Sequence, residues 1–360
     1  MKFLKAIPIV IFMCLNLLVI VAMNICAYTS VLPPQEYPHV AYWGLLFPVF
    51  LIANVLFVLF WLVFKWKIVV LPLLGMLICA PSIRAYIPFN FSKEPPEGSL
   101  KILSYNTMSF GKDTTVPLEE NPIFQYLQKC DADIICLQEA MKAHTDKVAQ
   151  LMKDTYPYNS LFLIADNYNA CFSKYPILSS EKIDYPSKTN ASYVYKVLVG
   201  EDTLLVVNNH LESNRLTAED KNDYKSILKN YKNPEENDSE IKYHSLIGKL
   251  APVDSIRGMQ ADSIAAFVER NAGRYIIVCG DFNASPISYP HYRLTRCLDD
   301  AYTRSGNGPG VSYHHSGMYF RIDNILISSN MTAYGATVDN SISASDHYPI
   351  YAHIKLEGKR

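Results

Sequence analysis

The chain has 360 residues, 49% hydrophobic and 19% charged, with 33 basic and 34 acidic side chains and a net charge of −1. This excludes a disordered chain or a disulfide-dense miniprotein, and the length allows one large or two modest domains. The balance also argues against a grossly basic nucleic-acid binder, but it averages two unlike parts. Residues 1–96 carry six basic and two acidic side chains, which leaves 27 and 32 for the remainder, a net of −5.

Three apolar runs fill the first part, at about 7–28, 40–64 and 68–87. A membrane-spanning helix needs ~20 mostly apolar residues to cross ~30 Å of hydrocarbon. The first two runs meet that length; the third needs Arg84 to snorkel and residues 85–87 to complete it. Asn16, Asn24 and Asn54 are expected to be satisfied between packed helices, and Trp43, Trp61 and Trp66 to act as interfacial anchors. Lys2 and Lys5 precede the first run, Lys65 and Lys67 lie between the second and third, and the link at 30–39 has no Lys or Arg. The positive-inside rule then places the N-terminus in the cytoplasm and everything after the third helix outside it, periplasmic or extracellular. A cleaved signal peptide is the rival for the first run, and leaves the downstream part on the same side.

Residues 88–99 read as a linker, and residues 100–357 as a separate folded unit. Short apolar segments recur there, near 100–105, 134–137, 170–172, 193–199, 204–208, 275–279, 322–327 and 350–356, with helical patterns near 117–129, 145–154, 218–231 and 255–271. Continuous runs such as Ile276-Ile277-Val278-Cys279 predict strands buried on both faces. A polar insertion at about 213–254 breaks the rhythm and reads as a solvated loop or a lid. The five cysteines of this part show no CxxC spacing, so neither a zinc site nor a disulfide framework is implied.

Polar residues sit where these strands end, the place where open sheets expose side chains to a cleft. In order they are Leu103-Ser104-Tyr105-Asn106, Gln138-Glu139, Asn209-His210-Leu211, Gly280-Asp281-Phe282-Asn283, Arg321-Ile322-Asp323 and Ser345-Asp346-His347. Each alone has a bland reading as a turn or cap; six at strand termini do not.

The ordered series resembles the endonuclease/exonuclease/phosphatase superfamily, the fold of pancreatic-type deoxyribonuclease, over about residues 98–357. The resemblance implies a four-layer α/β/β/α sandwich of two mixed sheets, here preceded by three transmembrane helices. It also implies metal-dependent hydrolysis of a phosphoester. Phosphoester hydrolysis needs a divalent cation, an activated water and charge stabilisation. Glu139 is the expected ligand for Mg²⁺ or Mn²⁺, with Asn106 and Asp346 completing or supporting the sphere. Asp281 would orient or deprotonate the water, Asn283 would hold a phosphate oxygen, and His347 would pair with Asp323. His210 would donate to the phosphate as charge builds. The sequence leaves open whether Asp281 or His347 takes the proton. Asn169, Lys174, Arg215 and His314 are weaker candidates for substrate contacts.

The sequence departs from the abasic-site endonucleases, since Asn106 is followed by Thr107-Met108-Ser109 and the 209–210 motif carries histidine. The net of −5 lacks the cationic excess of duplex binders. A phosphodiesterase or phosphatase acting on a lipid headgroup, nucleotide or nucleic acid is expected at the bilayer, with no protein partner implied. The alternatives are a dedicated nuclease and a non-catalytic, membrane-tethered binding module on the same scaffold.

Overall fold

A computed structural model of the chain describes residues 2–112, 116–164, 167–187, 189–214, 220, 236–315 and 317–358. The first apolar run forms helix α1 (Lys2–Tyr28), and the second forms α2 (Phe47–Phe64) after a 3₁₀ segment at Ala41–Leu46. Both are long and apolar enough to cross a membrane. The third run departs from expectation. It is α3 (Val70–Ile78), entered through a 3₁₀ turn, then α4 (Ala80–Tyr86), bent by 70° at Cys79. Pro81 explains the break, because it has no N–H to continue the α3 ladder and its ring crowds the preceding turn. Residues 66–78 alone rise only about 20 Å, short of a hydrocarbon core, and reach a spanning length only together with α4.

The three runs pack as a bundle whose polar groups pair internally. Asn16 and Asn54 are buried and bonded to each other at 3.4 Å, and Asn24 donates to the carbonyl of Gly75 at 3.1 Å. Trp61 is not an interfacial anchor: it is 1% exposed and donates to Asn16 Oδ1 at 3.0 Å. Gly75 is required at the α1–α3 crossing, where a Cβ would lie 2.5 Å from Ile20.

The rest is the expected four-layer sandwich. Its strands are β1 (Leu100–Asn106), β2 (Ile134–Met141), β3 (Tyr158–Ile164), β4 (Asn167–Ser173), β5 (Ile177–Ile183), β6 (Ala191–Val199), β7 (Asp202–His210), β8 (Tyr275–Asp281), β9 (Asp299–Asp300), β10 (Asp323–Ile327), β11 (Met331–Val338) and β12 (Ile350–Leu356). One sheet runs β11-β12-β1-β2-β4-β3 and the other β5-β6-β7-β8-β10-β9. Among the described residues, only β1–β2 and β7–β8 pair in parallel. Their inner faces interdigitate around Ile102, Cys136, Tyr195, Val206 and Ile277, all completely buried. Helices Pro122–Lys129 and Lys142–Leu151 cover the first sheet, and Glu236–Arg270 and Tyr289–Thr295 the second. The expected polar insertion is therefore helical from Glu236 onward, and the predicted helix at 218–231 lies, apart from Asp220, outside the described residues. All eight cysteines are free.

The apolar bundle docks on the sandwich. Ser255 Oγ donates to the carbonyl of Pro34 at 3.1 Å, Gly44 lies against the carbonyl of Ile287, and Arg321 donates to the carbonyl of Ala85. The linker then runs along the domain, with Gly308 N donating to Pro88 O at 2.9 Å and Lys355 Nζ to Glu97 O at 2.7 Å.

Candidate active site

Parallel pairing of β7 with β8 sets His210 opposite Asp281, and antiparallel pairing of β8 with β10 sets Asp281 opposite Asp323. In the other sheet, parallel pairing of β1 with β2 sets Asn106 opposite Gln138. The strand-end residues of both sheets thus gather at one end of the sandwich. Two backbone features aim them. Glu139 sits at φ 48, in a register shift between Leu137 and Ala140. A bulge of this kind re-aims a side chain, and a non-glycine residue there costs about 1–3 kcal/mol. Gly280 has φ +129, and a Cβ on it would lie 2.0 Å from the carbonyl of Asn209, so only glycine lets β7 and β8 close beside Asp281.

Asp281 Oδ2 is the point of convergence. Asn106 Nδ2 donates to it at 3.0 Å and Asn283 Nδ2 at 3.2 Å, while His347 Nε2 lies at 3.7 Å and His210 Nε2 at 3.9 Å. Asn106 Nδ2 also reaches Glu139 Oε1 at 3.3 Å, and His210 Nε2 lies 3.5 Å from the same oxygen. His347 Nδ1 bonds Asp323 Oδ2 at 2.8 Å. Seven expected residues, Asn106, Glu139, His210, Asp281, Asn283, Asp323 and His347, form one connected cluster.

Charge is balanced tightly within it. Burial pushes the Asp281 carboxyl up to about 6, despite the opposing pull of His347. Burial works against charging His347, but the Asp323 and Asp281 carboxylates outweigh it and lift the imidazole to about 10. His347 is therefore an imidazolium held between two carboxylates.

The remaining candidates make no hydrogen bond to this cluster among the described residues. Asp346 is half-buried, its carboxylate adds to the negative charge around His347, and its carbonyl accepts from His314 N at 3.0 Å. The His314 ring stacks on Tyr348 at 3.8 Å. Asn169 is buried and donates at 3.0 Å to the carbonyl of Ala191, the β6 residue opposite His210, so it braces the two sheets at the site-bearing end. Lys174 follows the β4 residue that pairs with Ile134, at the opposite end of the sheet, and bonds Asp131 at 2.7 Å. It is not a site residue; a surface lysine beside two aspartates is a solvated ion pair. Arg215 lies outside the described residues.

Supporting residues, among them Ser345 and Gln138 of the strand-end motifs, received no role from the sequence. Ser345 Oγ donates to the carbonyl of Asn106 at 2.8 Å, and Ser312 Oγ accepts the N–H groups of Ile322 and Asp323, both at 3.1 Å. Tyr313 meets the His347 ring edge-on at 5.2 Å. Gln138 Nε2 donates to Asn208 Oδ1 at 2.7 Å, across the two sheets. Serines and tyrosines in loops carry no spacing signal that separates them from ordinary turn residues.

The donor set fits a hard divalent cation. Glu139, Asp281 and Asp323 offer carboxylate oxygens, no thiol is among them, and Asp323 Oδ1 is buried without a hydrogen-bond partner. Glu139 is the most open of these, with 31% of its side chain exposed, against 2% for Asp281.

Comparison with known proteins agrees with this geometry. The model of the Endonuclease/Exonuclease/phosphatase family matches residues 103–347, and the chain belongs to that family. It is accordingly a metal-dependent phosphoric ester hydrolase. A second model, described as a domain of unknown function, matches residues 9–86. Among solved structures, the human nocturnin catalytic domain with bound sulfate anion is 14% identical, with a TM-score of 0.53 over 73% of this chain and 96% of that one. The endonuclease/exonuclease/phosphatase from Beutenbergia cavernae is 15% identical, with a TM-score of 0.52 over 72% of each chain. Truncated Caenorhabditis elegans TDP2 is 15% identical, with a TM-score of 0.50 over 72% of this chain and 99% of that one. At these identities the likeness is one of fold. No curated protein matches the chain significantly.

Proposed function

We propose that this chain is a membrane-anchored phosphoesterase that uses Mg²⁺ or Mn²⁺ and acts outside the cytoplasm. The observation that carries the chemistry is the convergence of two amide nitrogens and two imidazoles on Asp281 Oδ2. A carboxylate so placed orients a water and takes its proton. Asp323 fixes the His347 tautomer and stabilises its positive charge, as in other aspartate–histidine pairs. His347 and His210 flank the same oxygen and face negative charge as it develops on phosphate. Asn106 and Asn283 hold the Asp281 carboxylate in place, and Asn106 ties it to Glu139.

Glu139 is the principal cation ligand in this reading, because the cation keeps several waters and Glu139 is the carboxylate open to solvent. The tighter group of Asp281, Asp323 and His347, whose ligand atoms lie within 4.8 Å of one another, is assigned to proton handling instead. Its imidazole already spends Nδ1 on Asp323 and is charged, and a metal ligand must be neutral. When bound, the cation neutralises non-bridging phosphate oxygens and lowers the cost of deprotonating water.

Anchoring is supported by α1 and α2. The positive-inside asymmetry places Lys65 and Lys67 in the cytoplasm and the catalytic part across the membrane. Release of p-nitrophenol from bis-p-nitrophenyl phosphate by the full-length protein in detergent tests the reading. Activity is expected with Mg²⁺ or Mn²⁺ and is lost in chelator. Activity that survives chelation, or survives in Asp281→Asn, defeats it.

A further inference from the structure

Several docking points of the apolar bundle lie within a few residues of the cluster around Asp281, or on a segment tied to it; Arg84, which donates to the carbonyl of Thr303 at 3.3 Å, adds one outside it. Arg321, which donates to the carbonyl of Ala85, precedes Asp323 by two residues. Ile287, whose carbonyl would lie 2.2 Å from a Cβ on Gly44, follows Asn283 by four. Ser255 and Gly258 press against Pro34 and Gln35, and the same stretch of helix holds the chain just past His210. There Arg257 donates to the carbonyl of Glu212 at 3.0 Å, and Gln260 accepts its N–H at 2.9 Å.

These partners on the bundle side all belong to segments at one end of the apolar helices. Residues 29–46 join the end of α1 to the start of α2, and Ala85 lies in the last turn of α4. The strands of the second sheet therefore point their site-bearing ends toward the bundle. Their opposite ends, marked by the Gly200–Glu201 turn, lie about 20 Å away, the rise of a seven-residue strand such as β8. Phe89 and Phe91 follow α4 by three and five residues and are 73% and 84% exposed, and Tyr319, two residues before Arg321, is 62% exposed. Exposed aromatics at the end of an apolar helix are suited to a bilayer–water interface.

We propose that the substrate is a phosphoester carried by a lipid of the leaflet on which the domain sits. The inference rests on the membrane-anchored phosphoesterase reading above and adds the source of the substrate. A site that opens toward its own bilayer has lipid headgroups at its mouth, whereas a solute must enter the gap between domain and membrane. Tethering both partners to one surface raises their effective concentration without any new contact. One water is consumed: its oxygen forms the new bond to phosphorus, the bond to the leaving oxygen breaks, and that oxygen takes the proton.

The test uses full-length protein in phosphatidylcholine vesicles doped in turn with sphingomyelin, phosphatidylglycerol or a phosphatidylinositol phosphate. Soluble organic or inorganic phosphate is measured after Mg²⁺ addition. At least one lipid in the enzyme's own vesicles should be hydrolysed about tenfold or more faster than the same lipid in separate vesicles, and than its short-chain soluble analogue at equal bulk concentration. Equal rates in the three arms overturn the proposal. If no lipid is cleaved while bis-p-nitrophenyl phosphate is, the lipid proposal falls and the phosphoesterase reading stands; if neither is cleaved, both fall. Orientation is read separately, from Tyr319→Cys and Glu201→Cys carrying a fluorophore in a Cys14→Ser, Cys297→Ser background. A headgroup nitroxide should quench the label at position 319 and spare the one at 201; equal quenching overturns the proposed orientation.

Discussion

The sandwich holds two buried aspartate–histidine pairs, and they are put to different uses. Asp323 and His347 meet at 2.8 Å at the strand ends, with Asp281 as a second carboxylate 3.7 Å from the same imidazole. Asp300 and His291 meet at 3.2 Å beneath helix Tyr289–Thr295, where the neighbour is instead a cation, Arg321, at 3.8 Å from Asp300. Burial works to raise the Asp300 carboxyl, but the His291 hydrogen bond and the Arg321 charge hold it well below the usual carboxylate range. Thr303 Oγ1 and the Tyr302 N–H also donate to Asp300, at 2.6 and 2.8 Å. One pair faces a second carboxylate and leaves Asp323 Oδ1 without a partner, while the other faces a cation and has both Asp300 oxygens bonded. The third partner, not the pair, separates chemistry from architecture.

The largest expected effect is catalytic. Asp281→Asn or His347→Ala should each lower kcat/KM by about 10³-fold or more, since a positioned acid or base contributes ~10²–10⁴ and these two share one task. Melting temperature should stay within a few degrees for Asp281→Asn, and a melt that collapses instead would make that carboxylate structural; His347→Ala also leaves the buried Asp323 carboxylate unpaired, so its kcat/KM is read on the folded fraction. Asp300→Ala should do the reverse. Removing one partner of a buried charged network costs about 3–5 kcal/mol, read by chemical denaturation, while kcat/KM of the folded fraction changes only a few-fold. Glu139→Gln is expected next, raising the Mg²⁺ concentration for half-maximal activity by about 10–100-fold with little change in fold.

The pH dependence should split the pairs as well. The His347 value is raised in the folded protein, so its contribution to stability is complete below its ordinary 6.5 and is lost as pH rises through about 10. The Asp300 value is lowered, so its contribution is complete above its ordinary 3.8 and is lost as pH falls below it. In chelator-treated protein, His347→Asn should flatten the alkaline limb of the stability profile and Asp300→Asn the acid limb; a single variant that flattens both would erase the distinction. The smallest effect belongs to the bundle, where Trp61→Phe should cost about 1 kcal/mol for the lost bond to Asn16.

Both cluster and fold class were legible because strand-end polar residues interrupt continuous apolar runs, as at Cys279-Gly280-Asp281. Strands β3, β5, β9 and β11 left no such mark. β3, β5, β9 and β11 end the two sheets, and β5 exposes five of its seven residues, so no burial pattern was imposed on its sequence. Lys174 and Trp61 were misjudged for a related reason: residue type and position in a run do not say which end of a strand or which face of a bundle a side chain meets. On the bundle side, the docking of residues 34 and 85 on the sandwich is carried by backbone carbonyls, which every residue has and which therefore leave no mark in the sequence.

The first strand of the sandwich lies between β2 and the last strand, with Ser104 opposite Ile350. During synthesis β1 therefore waits, one edge unpaired, until almost the whole chain has been made, and Asn106 meets the Ser345–His347 loop only then. The apolar bundle, made first, has no such dependence. A newly made molecule thus passes through a stage with its apolar helices complete and a sheet edge open, and unpaired edges recruit other chains. Chains stopped before Ile350 remain at that stage, with β1 paired on one side only.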